Sequence, residues 1–356
     1  MKRFIYDVQE DGVVRVMKPT LKDVAKMAGV SLGTASKVIN NEGNVKPDLQ
    51  MKVWDAVKRL NYHPNAVARS LKSANTHTLA VLLADITNPF QMTLAKGIEE
   101  VMYQHGYQLL ISSTKENSEI EKKNLKMLYE KRVEGLIVCT TGKANDEIRA
   151  IINHIPVVLV DRPVVSLPVD IVADNNLYGM ELLVRHLHEL GHRRIGVVHG
   201  DPNTVHGQIR HEGVVKAFSD YGIALPPELQ YTGLFTYEGG ISAAHYFLDL
   251  KDPPTALLSA NNNMTAGILK ACRNRNVRIP FDISVVSFGE LEYNWNLITP
   301  SVTSVSQSPL TIGRKAAELV LKRLNQEADE GVSHILYTPE LKVRESSGYV
   351  NASNES

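Results

Sequence analysis

One pentapeptide has the spacing of a catalytic zinc site. His188-Glu189-Leu190-Gly191-His192 reads H-E-x-x-H, in which two imidazoles one helical turn apart grip the metal and the glutamate acts as base. That chemistry needs a helix running through both histidines. Gly191 is a helix stop and the strand-like run "RRIGVV" follows at once, so His192 falls beyond the helix and the zinc reading fails. The chain has no G-x-x-x-x-G-K-[ST] and no G-x-G-x-x-G phosphate cradle, and no Ser/His/Asp or Cys/His set presents itself. The reading is therefore of a protein that is not an enzyme and that needs neither cofactor nor metal. What remains is binding chemistry. Arg210 offers a fork that pairs with carboxylate or phosphate, and His199, His206 and His211 lie close to it in sequence.

A second concentration of charge lies near the start. Net charge over the whole chain is zero, with 39 basic and 39 acidic residues. Between Lys18 and Asn75 there are ten basic residues against four acidic, which leaves 29 against 35 elsewhere. A basic head on an acidic body points to a polyanion as partner for the head. Leu21, Val24, Ala25 and Ala28 mark one face of a short helix, and Gly29 permits a sharp turn. Ser31 is a good N-cap for a second helix with Ala35, Val38 and Ile39 on its apolar face. A third starts near Pro47 and Asp48 and buries Leu49, Val53, Ala56, Val57 and Leu60. Two short helices across a glycine turn with a third behind them make a helix-turn-helix.

From Leu79 onward, apolar runs alternate with helical stretches. "LAVLLA", "QLLIS", "GLIVC", "VVLV", "IGVVH", "ALLS" and "SVVSF" read as buried parallel strands. Helices are expected over 91–105, 118–131, 177–190, 205–221, 239–250 and 264–274. Alternation means open doubly wound α/β sheets, and the number of strands calls for two lobes, one from Leu79 and one from near Asn175. The length of 356 residues, 43% of them hydrophobic, is ample for this. No membrane span or signal peptide is read, and Cys139 and Cys272 are expected as buried thiols of a cytoplasmic protein.

"TLKDVAKMAGVSLGTASKVINNEGNVKPDLQMKVWDAVKRLNYHPNAVARSLKS" resembles the head of the lactose/galactose repressor (LacI/GalR) family. "LADITNPF", "RVEGLIV", "VVLVDRP", "LHELGHRRIGVV" and "DISVVSFGELE" look like that family's later landmarks, in order, to about Ser346. The resemblance implies a small all-α helix-turn-helix head followed by a two-lobed α/β body like a periplasmic binding protein. It implies a homodimeric regulator of transcription, a repressor of carbohydrate genes, that binds double-stranded operator DNA and a sugar-like effector. The second helix would enter the major groove, which nominates Leu32, Gly33, Thr34, Ser36, Lys37 and Asn40 as DNA contacts. Where Lys37 stands, members often carry arginine, whose rigid fork lysine lacks. "NAVARSLKS" matches a hinge helix that orders on DNA, with Asn65, Ala68 and Leu71 in contact and Leu71 as a minor-groove wedge.

For the effector, the same resemblance nominates Asp85, Phe90, Asp161 and Arg162 in the first lobe. It nominates Arg210, Phe235, Asn261 and Glu290 in the second. Two positions depart from the family: Asn262 and Gly289 stand where aspartates are usual. With carboxylates lost and histidines near Arg210, an acidic sugar derivative is expected over a neutral sugar. The expected organisation is an arm without structure or a misplaced start over 1–17, a head over 18–63, a hinge over 64–76, a body over 77–346 and a polar tail over 347–356. That tail has no leucine heptad, so a dimer is expected, not a tetramer. A protein corepressor in place of a small effector, or a solute-binding protein, are the rival readings. The basic head argues against the second.

Overall fold

In a computed structural model, residues 6–8, 14–16, 19–63, 76–291, 299–328 and 331–350 are described. The chain divides into two units, 1–76 and 77–356.

In the first unit, β1 (Tyr6–Val8) and β2 (Val14–Val16) pair antiparallel, with Tyr6 opposite Val16. This ladder falls within the stretch 1–17, expected as an arm without structure or a misplaced start. Helix α1 (Leu21–Ala28) starts from a capping box in which Thr20 and Asp23 satisfy each other's backbone N–H. It stops at Gly29, which has φ +65°, a left-handed conformation that glycine adopts without strain. Ser31 caps α2 (Leu32–Ile39) through Thr34 N at 3.1 Å. Pro47 opens α3 (Pro47–Leu60). Val24, Ala28, Val38, Val53 and Ala56 form the shared core of the three helices. Asn65, Ala68 and Leu71 lie outside the described residues.

The second unit holds two six-stranded sheets. The first lobe contains β3 (Thr78–Leu83), β4 (Gln108–Ser113), β5 (Gly135–Val138), β6 (Val157–Val160), β7 (Asp170–Asp174) and β13 (His334–Tyr337), in the order β13-β7-β6-β5-β3-β4 and all parallel. The second contains β8 (Ile195–His199), β9 (Gln230–Thr232), β10 (Ala256–Ser259), β11 (Ser284–Phe288), β12 (Thr303–Ser306) and β14 (Glu340–Lys342), in the order β14-β12-β11-β10-β8-β9. Only β14 runs antiparallel there. All seven apolar runs form strands whose inner residues are buried, except β4, which lies at a sheet edge and is half exposed.

The chain passes between lobes three times. It leaves the first lobe after Asp174 into helix α7 (Asn176–Glu189), returns after β12 into α11 (Pro309–Leu324), and leaves again between β13 and β14. Ile312, Ala316, Ala317 and Val320 of α11 pack into the core of the first lobe. The tail is stitched to the second lobe as far as Val350: Val285 N donates to Ser346 O (2.8 Å) and Val350 N to Leu190 O (3.0 Å).

The remaining helices are α4 (Pro89–Gln104), α5 (Ser118–Glu130), α6 (Asn145–Ile152), α8 (Val205–Asp220), α9 (Tyr237–Leu248) and α10 (Asn262–Asn274). Helix α7 ends at Glu189, and Gly191 has φ +88°. His192 lies past that end, with Nδ1 on Thr255 Oγ1 (2.8 Å) and Nε2 on Gly348 O (3.0 Å). Both nitrogens are engaged structurally, so the string does not present two imidazoles on one helix face.

Candidate functional site: a cleft between the lobes

Loops at the C-terminal ends of both sheets enclose a cleft of about 320 Å³. This is where open α/β sheets hold ligands, because strand ends and helix N-termini converge there. On the first lobe, Asp85 follows β3 and its Oδ1 accepts from Thr87 N (2.8 Å) and Thr87 Oγ1 (2.7 Å). Asn88 caps α4 through Phe90 N (3.0 Å), which sets Phe90 into the wall. Gln91 Oε1 accepts from Ala84 N (2.7 Å) and fixes the end of β3.

Asp161 and Arg162 follow β6. Asp161 has φ +64°, a strained conformation for a non-glycine residue of the kind that collects at functional sites. Arg162 forks onto Glu116, Nη1 to Oε2 at 2.7 Å and Nη2 to Oε1 at 2.5 Å. Asp161 Oδ2 accepts from Cys139 Sγ at 3.7 Å. Burial raises the Asp161 carboxyl above its usual range, against the pull of Arg162 and Arg210.

On the second lobe, Arg210 projects from α8 and is only 5% exposed. Its Nε donates to Asn176 Oδ1 and its Nη1 to Ala260 O, both at 2.7 Å, and its guanidinium lies 3.9 Å from the centre of the Phe288 ring. Burial lowers its pKa to about 10, which still leaves it charged at neutral pH. Phe235, with φ +61°, stacks on His206 with centroids 4.4 Å apart and planes 17° from parallel. Gly200 makes room for that ring, since a Cβ there would lie 1.8 Å from Phe235 Cζ. Asn261 caps α10 through Met264 N (2.9 Å) and donates to Phe235 O (3.2 Å). Across the cleft, Asn262 Nδ2 reaches Asn88 Oδ1 at 3.3 Å and so joins the two lobes.

Three buried polar atoms on residues of the wall have no hydrogen-bond partner: Asp161 Oδ1, Arg162 Nε and His206 Nδ1. Leaving such atoms unsatisfied costs about 1–3 kcal/mol each.

Of the eight residues nominated for the effector, Asp85, Phe90, Asp161, Arg162, Arg210, Phe235 and Asn261 line this cleft. Glu290 does not. Its carboxylate is taken by Arg344, Lys342 (3.4 Å) and Ser306 Oγ (2.7 Å). Burial pushes its pKa up, but those partners more than offset it, and it stays ionised below the ordinary range. The histidines also differ from expectation. His199 and His211 contact each other, Nδ1 to Nδ1 at 3.4 Å, and neither lines the cleft. His206 lines it, but burial and then the two arginines hold its pKa well below the ordinary value, so it is neutral. The cleft gains no cation from them, which removes one of the grounds for expecting an acidic effector.

Sequence reasoning passed over Glu116, Gln307 and, around the nominated Phe235, Leu234 and Thr236–Glu238, all of which line the cleft. Each lies just past the C-terminal end of a strand (β4, β12 and β9 respectively), and that position was the available signal.

In the head, Leu32 is 45% exposed, and Gly33 and Lys37 are exposed beside it. The Thr34 hydroxyl meets Ser31 Oγ (2.9 Å), and Asn40 Nδ2 donates to Ser36 Oγ (3.4 Å). These four side chains therefore brace the helix.

A two-lobed α/β body with a polar cleft, preceded by a helix-turn-helix, defines a ligand-responsive DNA-binding regulator. The chain belongs to the lacI family of bacterial regulatory proteins, whose signature matches residues 20–65, while residues 184–347 match a periplasmic binding protein-like domain. It is 35% identical over 332 residues to the HTH-type transcriptional repressor PurR of Haemophilus influenzae, covering 92% of this chain and 98% of the relative. It is 34% identical to the ribose operon repressor of Escherichia coli, covering 86% and 93%. Among solved structures, the lac repressor dimer bound to operator and the anti-inducer ONPF superposes with a TM-score of 0.81 at 25% identity, covering 93% of this chain and all of that one. A complex of the regulator CelR with cellobiose gives 0.69 at 27%, covering 92% and all of that chain. These relatives are repressors, and the family is not enzymatic. No described helix is long and apolar enough to cross a membrane. The chain is a DNA-binding transcriptional repressor of this family.

Proposed function

We propose that this repressor is cytoplasmic, controls carbohydrate genes, and binds its effector in the cleft between the lobes. Asp161, Arg162 and Arg210 form the polar floor, Phe90 and Phe235 the apolar walls, and Asp85 and Asn261 the edges. The observation that carries this reading is the set of buried atoms without partners, Asp161 Oδ1, Arg162 Nε and His206 Nδ1, gathered on the walls of one cleft. Donors and acceptors set among aromatic rings suit a ligand with apolar ring faces and many hydroxyls. The cellobiose complex of CelR supports a sugar-like guest.

On the operator, Leu32, Gly33 and Lys37 meet base edges. Thr34, Ser36 and Asn40 hold the helix and reach phosphates, and Asn65, Ala68 and Leu71 serve the hinge. An effector that touches both lobes favours one lobe arrangement over another, and a coupling of about 1–3 kcal/mol to DNA affinity is typical of such switches.

Arg210→Ala tests the assignment. It removes the stack on Phe288 and two hydrogen bonds inside the cleft. Operator affinity without effector should stay within a few-fold of the parent, while the response of operator binding to effector disappears. An unchanged response would place the effector elsewhere.

A further inference from the structure

The charges around the cleft do not balance, and the imbalance says something about its guest. Asp85, Glu116, Asp161 and Glu238 line it against Arg162 and Arg210. Arg162 is spent on its fork with Glu116. Arg210 and Asp161 attract each other across the floor. Two carboxylates are left over. Asp85 belongs to the first lobe, just past β3, and Glu238 to the second, in the first turn of α9. Neither has an ion-pair partner among the described residues. Like charges on opposite lobes oppose closure of the cleft, and a cation bound between them reverses the sign of that term.

Resting on the assignment of the cleft as the effector site, we propose that the effector is a hydroxylated molecule carrying a protonated amine, with the ammonium held between Asp85 and Glu238. The buried, unpartnered Asp161 Oδ1, Arg162 Nε and His206 Nδ1 take the hydroxylated body deeper in. An acid or phosphate is disfavoured because the net charge of the lining is negative and His206 is neutral. A divalent metal is a poor alternative: no group of three metal-ligating side chains occurs among the described residues, and hard cations take six or more oxygens.

The test uses the full-length protein, with calorimetry and operator binding read in parallel. The probes are D-glucosamine, D-galactosamine and D-mannosamine, each beside its neutral parent hexose and that hexose's 6-phosphate. At low salt at least one amino sugar should bind about tenfold more tightly than its parent, a difference of about 1.4 kcal/mol. The advantage should shrink as salt rises, since Asp85 is only half-buried and Glu238 is exposed. Glu238→Gln should bring the amino sugar's affinity toward that of its parent. The proposal is overturned if every amino sugar binds no better than its parent, if a phosphate binds best, or if no amino sugar binds at all. If a neutral sugar or phosphate binds, alters operator affinity and loses that effect in Arg210→Ala, the cleft remains the effector site and only the amine is wrong. If a probe alters operator affinity equally in Arg210→Ala and in the parent, the site assignment itself fails.

Discussion

Gly33 is a residue that its own domain does not need. It sits in the first turn of α2, and a Cβ added there would meet only Ser31 Oγ, at 3.8 Å. Glycine within a helix costs about 0.5–1 kcal/mol relative to alanine. The head carries that cost with no packing return. Its neighbours Leu32 and Lys37 are exposed on the same short helix, and under the proposed operator contacts the missing side chain allows close approach to a base edge. Gly33→Ala should therefore move two properties in opposite directions. The melting temperature of the head should rise by a few degrees, while affinity for the selected operator falls several-fold. Binding to random DNA should hold, because phosphate contacts carry it. Calorimetric melts and gel shifts on both DNAs would read this, and a variant that binds operator as well as the parent would show that Gly33 faces no base.

At the scale of elements, strands flanked by turns were legible because burial on both faces makes them continuous apolar runs, as in "LAVLLA" and "SVVSF". β7, β12 and β14 were not. β7 begins and ends with aspartate, β12 reads Thr-Ser-Val-Ser, and β14 has only three residues. Their place in a sheet comes from neighbours distant in sequence. α11 carries a helical apolar face, but its membership of the first lobe could not be read locally, since it follows the second lobe's strands. In the cleft, Asp161 and Arg210 were found from motif position. Glu116 was missed, because only the fold brings it to Arg162, and the histidines were misjudged because proximity in sequence did not decide which of them turn inward. The head is locally complete: the Thr20–Asp23 box starts α1, and Val24, Val38 and Val53 close its core. The pair β1–β2 is thus an addition to a finished motif. Deleting residues 1–16 should change operator affinity by less than tenfold, or about 1.4 kcal/mol, in a titration against the same operator. A larger loss would make the ladder part of the DNA-binding surface.

For the whole molecule, three passages of chain join the two lobes. Those passages are bonded to one another: Asn175 N donates to Tyr337 O at 2.8 Å, and Gln307 Nε2 donates to Asp174 Oδ2 at 3.1 Å. Asp174 therefore ties the first passage to the second, and β7 to β13 beside it sets the third. It is 2% exposed, and its Oδ1 has no partner. Burial, and then the nearby Asp161, push its carboxyl up to about 7 from an ordinary 3.8. The sign follows from linkage. Below 3.8 the group is protonated in folded and unfolded chains alike and contributes nothing. Between 3.8 and about 7 the unfolded chain releases its proton while the folded one keeps it, so stability falls as pH rises. Above about 7 the penalty is complete, on the order of 4 kcal/mol for a shift of this size. Asp174→Asn keeps an acceptor for Gln307 and removes the ionisation. Its stability relative to the parent should grow from acid toward neutral pH and level off above about 7. Urea melts of both proteins across that range would show it. A difference that does not vary with pH, or a loss of stability that deepens as pH rises, would mean that Asp174 is ionised in the folded protein and held there by a partner.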